Sequence, residues 1–133
     1  MRLTKQRKAI IDLFKSNPGR AFSVEMIYNR IGNGKMNLST VYRNVDRLTE
    51  LGVLAKNLME STAYYYAKKE KHQHFMICTS CFKMLPINHV IEEIIPIAIG
   101  KTEFEPLAHD IVIYGICREC QLKTKKSPTN ASR

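Results

Sequence analysis

The sequence lacks an apolar run long enough to cross a bilayer. Glu92, Glu93 and Pro96 interrupt the longest such run, residues 90–99, whereas a spanning helix needs about 20 apolar residues. The opening stretch, residues 1–7, also lacks the apolar core of a signal peptide. We therefore expect a cytoplasmic protein with no membrane partner, and a chain of 133 residues makes one domain or two small ones.

Acidic side chains are scarce in the first half of the chain. Residues 1–67 carry 11 Lys and Arg against 5 Asp and Glu, a net charge of +6, whereas residues 68–122 carry 6 against 7, a net charge of −1. Residues 123–133 carry 4 basic and no acidic side chains and no aromatic ones, so we expect a disordered basic tail there. The basic first half indicates a nucleic-acid partner, and a basic surface that only aids solubility is the alternative.

Cysteine is limited to four residues, and they form two close pairs, Cys78-x-x-Cys81 and Cys117-x-x-Cys120. In a reducing compartment such pairs indicate metal ligands more often than disulfides. Four thiolates can converge tetrahedrally on Zn²⁺. We therefore predict a structural zinc that joins two distant strands and contributes to folding, with a redox dithiol or two disulfides as the alternatives.

Histidine is equally limited, to four residues, and two of them, His72 and His74, stand six and four residues before the first cysteine pair. Alternate residues of an extended strand share one face, so both imidazoles can reach one metal. His109 precedes the strand of the second cysteine pair, and His89 and Glu92 would share one face of a helix if that helix begins by His89. Three histidines and a carboxylate suit Zn²⁺, Fe²⁺, Mn²⁺ or Ni²⁺. We predict a second, regulatory metal site, against idle surface histidines.

The first 67 residues have the pattern of three helices and a hairpin. Apolar residues recur at helical spacing in 4–16, 23–31 and 38–51, and the apolar runs 53–59 and 63–67 read as two strands. The third helix is predicted to pack through Val41, Val45, Leu48 and Leu51. These elements make a winged helix-turn-helix, and the glycine-containing turn before the third helix fits its DNA-binding form.

The second half has weaker patterns. Residues 68–71 are charged and are predicted to be a hinge. Strands are predicted over 75–77, 84–87 and 111–116, with a helix over 90–99 that Pro96 begins, kinks or breaks.

Several stretches of the chain resemble the Fur family of metal-responsive repressors. The matching stretches are Leu3-Thr4-Lys5-Gln6-Arg7, Ser39-Thr40-Val41-Tyr42-Arg43-Asn44, Leu51-Gly52-Val53-Leu54, the His-x-His before Cys78, and His109 with Tyr114-Gly115-x-Cys117-x-x-Cys120. The resemblance covers residues 3–121. It implies an α+β chain with a winged helix over 1–67 and an α/β dimerisation domain with a four-cysteine zinc site over 72–122. It also implies a homodimer that binds palindromic operators when metal-loaded, and not an enzyme.

The resemblance implies which residues form the regulatory site. The implied ligands are His72, His74, Glu92 and His109, with Glu93 and His89 as further candidates. Family members often use two regulatory sites, and the one at the hinge needs histidines five and three residues before Cys78. Gln73 and Phe75 occupy these two positions, so the hinge site is incomplete in this chain. We favour Zn²⁺ over Fe²⁺ or Mn²⁺ as the sensed metal, and the aromatic run 64–66 argues against the peroxide-sensing branch.

The resemblance also implies the DNA contacts. The expected contact residues are Ser39, Thr40, Tyr42 and Arg43 at the start of the recognition helix, and Lys5, Arg7 and Lys8 on the first helix. Tyr42 is expected to contact thymine methyls or phosphate, and Arg43 guanine or phosphate; a core tyrosine and a solvated arginine are the alternative. Many members carry a further N-terminal helix, whereas this sequence begins almost at the first predicted helix. We therefore expect weakened or altered operator binding.

Three other functions remain open on this sequence. One is an iron- or manganese-responsive regulator of the same family. Another is a DNA-binding protein with a zinc staple and no sensory site. The third is a zinc enzyme that uses the histidine site, although the chain shows no separate nucleophile or general base.

Overall fold

The computed structural model describes residues 4–32, 34–69, 74–88 and 91–123. The chain forms two compact units, Met1–Glu70 and Lys71–Arg133. The predicted α+β fold with an N-terminal winged helix-turn-helix is confirmed. In the described part of the chain, no helix is long and apolar enough to cross a membrane.

The helices of the first unit are α1 (Lys5–Ser16), α2 (Val24–Ile27) and α3 (Leu38–Glu50). Each begins after a polar residue that caps it. The side chains of Thr4, Ser23 and Asn37 accept hydrogen bonds, each from the backbone N–H three residues further on. These bonds satisfy amides that have no partner within the helix.

The second helix is shorter than predicted. After α2 the chain continues as a π-helix, Tyr28–Gly32, instead of an α-helix to residue 31. A β-carbon at Gly32 would lie 2.7 Å from Cδ1 of Tyr28. This close approach requires glycine at the point where the chain turns towards α3.

The core of the first unit lies between the three helices and the hairpin. Its most buried members are Ile10, Phe14, Phe22, Ile27, Val41, Val45, Leu48, Leu54 and Tyr65. Phe14 and Phe22 meet edge to face with ring centroids 5.4 Å apart. Burial of Leu51 was predicted wrongly, since this residue is 40% exposed. It caps the C-terminus of α3, and Gly52, at a φ of 80°, turns the chain away.

The wing is a two-stranded antiparallel hairpin, as predicted. It consists of β1 (Leu54–Met59) and β2 (Thr62–Ala67). The two residues between the strands, Glu60 and Ser61, both have positive φ angles, 49° and 71°. Such angles suit the tight turns that join right-twisted strands.

The second unit is built on a three-stranded sheet. Its elements are β3 (Phe75–Cys78), β4 (Met84–Pro86), α4 (Ile91–Ile99), β5 (Val112–Gly115) and α5 (Arg118–Lys123). The strand order is β4-β3-β5, with β4 antiparallel and β5 parallel to β3. The sequence did not predict α5, and Lys123, expected in the tail, ends it. Residues 124–133 of that tail, and residues 70–71 of the predicted hinge, lie outside the described residues.

The core assignment of α3 can be tested with two leucines of the same helix end. Leu48→Ala is expected to lower the free energy of unfolding by about 2–5 kcal/mol, because Leu48 is fully buried. Leu51→Ala is the matched control and is expected to cost less than about 1 kcal/mol. Chemical denaturation measures both, and equal losses would contradict the packing described here.

Candidate functional site

The parallel pairing of β3 with β5 brings the candidate ligands together. Cys78, at the end of β3, lies opposite Gly115, at the end of β5, and Phe75 lies opposite Val112. The segments that precede the two strands therefore meet at one end of the ladder. The Cys-x-x-Cys motifs, which begin at or follow the strand ends, meet at the other end.

The four cysteines form one cluster. The sulfur atoms of Cys78, Cys81, Cys117 and Cys120 all lie within 4.8 Å of one another. Sγ of Cys81 and Sγ of Cys117 are 3.7 Å apart. Four thiolates placed tetrahedrally around Zn²⁺ at about 2.3 Å would be separated by about 3.8 Å. The donor atoms and their spacing therefore fit a zinc ion with no position left open to substrate.

Backbone hydrogen bonds stabilise the sulfur of Cys78 as a thiolate. Burial opposes ionisation, but backbone N–H groups of Cys117, Cys81 and Ser80 donate hydrogen bonds to Sγ at 3.3, 3.4 and 3.4 Å. These bonds outweigh burial and lower the pKa of Cys78 to about 6. A thiolate at neutral pH is the form that binds metal.

The thiol of Cys120 behaves in the opposite way. The hydroxyl of Ser80 lowers its pKa, but the thiols of Cys117, Cys78 and Cys81, together with burial, outweigh this and raise the pKa to about 11. In the absence of metal this thiol keeps its proton at neutral pH. Zinc uptake must therefore release a proton here, because zinc binds the thiolate.

A second cluster lies at the other end of the ladder. Donor atoms of His74, Glu92 and His109 lie within 4.8 Å of one another. The carboxylate oxygens of Glu92 lie 3.2 Å from Nε2 of His74 and 3.8 Å from Nε2 of His109. The two ring centroids are 4.7 Å apart. Donors around one zinc ion at about 2.05 Å would be about 3.3 Å apart, so this set also fits a divalent cation.

Backbone contacts orient the buried ring of His74. The N–H of Ile111, just before β5, donates to Nδ1 at 3.3 Å, and the carbonyl of His74 accepts from the N–H of Ile87 at 2.8 Å. The ring therefore presents Nε2 to Glu92. The Glu92 side chain is 51% exposed, which leaves the cluster accessible from solvent.

The described residues complete only part of the predicted regulatory site. The structure places Glu92 in the cluster, and the alternative carboxylate, Glu93, does not join it. The predicted ligand His72 and the further candidate His89 lie outside the described residues.

The residues predicted to contact DNA lie mostly at the surface of the first unit. Tyr42 is 56% exposed, so it is not a core aromatic. Arg43 and Ser39 are exposed, and Thr40 is half-buried. Their side chains are ordered along the start of α3, since Nη2 of Arg43 donates to the Thr40 hydroxyl at 3.3 Å and the Ser39 hydroxyl donates to Oδ1 of Asn37 at 3.0 Å.

On the first helix the three predicted contacts differ. Lys5 and Lys8 are exposed, and Nζ of Lys8 lies 3.6 Å from the carboxylate of Asp12. Arg7 is half-buried, and its Nε donates to Oδ1 of Asn44 at 3.1 Å. Asn44 was not predicted as a site residue from the sequence. The sequence feature that could have identified Asn44 is a polar residue placed among the buried valines of α3.

Loss of one cysteine ligand should affect both zinc and folding. Cys78→Ser is expected to reduce bound zinc from about one ion per chain to near zero, and to unfold the second unit, because zinc bound at this cluster contributes to its folding. Thr79→Ala is the control and is expected to retain zinc. Elemental analysis and circular dichroism measure the two effects. Full zinc content in Cys78→Ser would rule out this cluster as the zinc site.

Sequence comparisons agree with the geometry. A family model described as the ferric uptake regulator family matches residues 1–114. The ferric uptake regulation protein of Synechococcus elongatus is 32% identical over 128 residues, which cover 90% of this chain and 86% of that protein.

Solved structures show the same fold. The ferric uptake regulator from Francisella tularensis superposes with a TM-score of 0.74 at 20% identity, covering 91% of this chain and 95% of that one. A zinc-bound manganese uptake regulator gives a TM-score of 0.71 at 24% identity, covering 88% of this chain and 91% of that one. With a matching family model over residues 1–114, this chain belongs to the ferric uptake regulator family, whose members are metal-responsive, DNA-binding transcription regulators and not enzymes.

Proposed function

We propose that this protein is a repressor of metal-homeostasis genes that binds a palindromic operator when a divalent cation, Zn²⁺ in the first place, occupies the cluster of His74, Glu92 and His109. The observation that carries the proposal is the separation of two ligand clusters with different donors at opposite ends of one strand ladder. One cluster contains sulfur alone, and the other contains nitrogen and oxygen.

The cysteine cluster has the properties of a structural zinc site. Cys78 and Cys120 are buried, and all four donors are thiols of the chain. Zinc bound there would hold the ends of β3 and β5 and the start of α5 together. Zinc sites in which four cysteines occupy every position stabilise folds and leave no position open for another ligand. We therefore assign no sensing role to this cluster.

The histidine cluster has the properties of a regulatory site. Its members come from the residue just before β3, from α4 and from the segment before β5. A divalent cation bound there would tie these three segments together. In sequence, His74 lies three residues after the predicted hinge, residues 68–71, so we infer that fixing its imidazole restricts the path of the hinge. Coupling between sites of this kind is typically about 1–3 kcal/mol.

The donor set favours zinc as the sensed metal. Two imidazoles and one carboxylate, with His72 as a proposed fourth ligand, make a nitrogen-rich set of four donors that suits tetrahedral Zn²⁺. Iron is the second candidate, because the relative from Synechococcus elongatus is named as a ferric uptake regulation protein. Manganese is less favoured, because it prefers oxygen donors and this set is rich in nitrogen.

DNA binding is assigned to the exposed side of α3. Tyr42 and Arg43 present an aromatic ring and a guanidinium near the N-terminus of this helix, where recognition helices contact bases and phosphates. The first turns of α1 and α3 contain no acidic residue. Both helix ends are therefore electrostatically compatible with phosphate.

A second copy of the chain explains the exposed apolar side chains of the second unit. Regulators of this family act as dimers. Ile94 and Ile97 of α4, Met76 of β3 and Ile113 of β5 are all more than a third exposed. In the sheet that the described residues form, β5 is an edge strand. Burial of these side chains in a two-fold dimer would present two copies of α3, which is why we propose a palindromic operator.

The role of α3 is tested with Arg43→Ala. Operator affinity at fixed salt is expected to fall by about 5-fold to 150-fold, which corresponds to the loss of about 1–3 kcal/mol that follows removal of a base-contacting arginine. Lys83→Ala is a charge-matched control in the second unit, where Lys83 pairs with Glu119 at 3.2 Å. Unchanged affinity in Arg43→Ala, with the fold intact, would remove α3 from the interface.

The sensing role of the histidine cluster is tested with two adjacent carboxylates. Glu92→Gln is expected to weaken the metal dependence of operator binding by about 5-fold to 150-fold, the usual range of such coupling. Glu93→Gln is the matched control, because Glu93 does not join the cluster. Operator binding is titrated with Zn²⁺ and, separately, Fe²⁺ on protein that retains its structural zinc. Equal responses in both variants would favour a regulator whose histidines are idle.

A further inference from the structure

We propose that Asn44 is a positioning residue that holds Arg7 of α1 against the recognition helix α3, so that Arg7 contacts an operator phosphate in register with the bases that α3 contacts. The inference rests on the proposed binding of DNA by α3. It adds Asn44, a residue that does not contact DNA itself but determines how α1 contacts DNA.

The amide of Asn44 is engaged at both ends. It is buried, with 9% of its surface exposed. Its oxygen accepts the hydrogen bond from Nε of Arg7 at 3.1 Å, and its nitrogen donates to the backbone carbonyl of Thr40 at 3.0 Å. Because a carbonyl can only accept and a guanidinium can only donate, these two partners fix the orientation of the amide.

The position of Asn44 is unfavourable for a side chain with no role. Its neighbours on the buried side of α3 are Val41, Val45 and Leu48, all fully buried. An apolar residue would pack there without desolvating an amide, whose burial is unfavourable where hydrogen bonds do not compensate. The bond to Arg7 is the compensation that reaches outside α3.

A neutral amide is suited to orienting a cation that must attract an anion. An aspartate at position 44 would pair with Arg7 and offset its charge. Asparagine fixes the Nε edge of the guanidinium and leaves the charge in place for phosphate, to which arginine binds through planar, charge-assisted hydrogen bonds.

The surroundings of Arg7 agree with a phosphate contact. Its backbone N–H donates a hydrogen bond to Oγ1 of the cap residue Thr4 at 3.1 Å, so Arg7 lies in the first turn of α1. The basic side chains of Lys5 and Lys8 are exposed on the same stretch. The hydrogen bond to Asn44 links this basic helix start to α3 across 37 residues of sequence.

A double-mutant cycle on the full-length, metal-loaded protein tests the proposal. Operator affinity is measured against salt concentration for wild type, Arg7→Ala, Asn44→Ala and the double variant. Arg7→Ala is expected to reduce the salt slope by about 0.9 for each phosphate that the protein no longer neutralises. Asn44→Ala is expected to weaken binding by about tenfold and to reduce the slope in the same direction, and to have no further effect when Arg7 is already alanine.

Arg7→Lys supplies a second variant that leaves the core unchanged. It keeps the positive charge but lacks the Nε donor, so it is expected to weaken binding as Asn44→Ala does and to be insensitive to that substitution. If Asn44→Ala does not fold, as judged by its unfolding midpoint, Asn44→Ser replaces it in the cycle.

The outcomes separate this inference from the proposed function. A salt slope that falls in Arg7→Ala but not in Asn44→Ala, or additive effects in the double variant, would overturn the positioning role and leave operator binding intact. Arg7→Ala with wild-type affinity and slope would also overturn it. A wild-type protein that binds no operator with any of the metals tested would instead overturn the proposed function itself.

Discussion

The pairing of β3 with β5 is the constraint on which the second unit depends. Because the strands run parallel, the chain must cross over from the end of one to the start of the other, and α4 lies in that crossover. The register then sets both clusters at once, since Cys78 lies opposite Gly115 and Phe75 opposite Val112. A shift of one residue would move sulfur ligands at one end and imidazole ligands at the other. Both ligand clusters therefore depend on the same backbone hydrogen bonds.

The two units are stabilised in different ways. The first has a continuous apolar core in which helices and hairpin share buried side chains. In the described part of the second unit the buried residues are His74, Ile77, Cys78 and Cys120, and three of these four belong to the ligand clusters. Little apolar burial remains to offset the conformational entropy of the chain. Metal binding and dimer contacts are therefore expected to supply stability that the core of the first unit supplies by itself.

Local patterns predicted the first unit well because its helices are amphipathic and its caps lie next to them in sequence. The errors came from contacts that sequence spacing does not encode. Leu51 continued the apolar pattern of α3 but is its exposed C-cap residue. Helix α5 begins inside the second cysteine pair and has no apolar stripe that would predict it. Periodicity also could not separate Glu92 from Glu93, because the rotation of α4 is fixed by packing. The polar contact of Asn44 with Arg7 joins two helices, and a residue-by-residue pattern offers no partner for it.

The central claim is that two sites with different donor atoms lie on one strand ladder. X-ray absorption spectroscopy tests this claim most directly. The zinc edge is recorded on purified protein, and the edge of a second metal, Fe²⁺ or Mn²⁺, after one further equivalent is added. The zinc spectrum should show sulfur alone at about 2.3 Å, before and after the addition. The second metal should show nitrogen and oxygen and no sulfur. Sulfur around the second metal would contradict the division into a structural and a regulatory site. So would a loss of sulfur around zinc when the second metal is added.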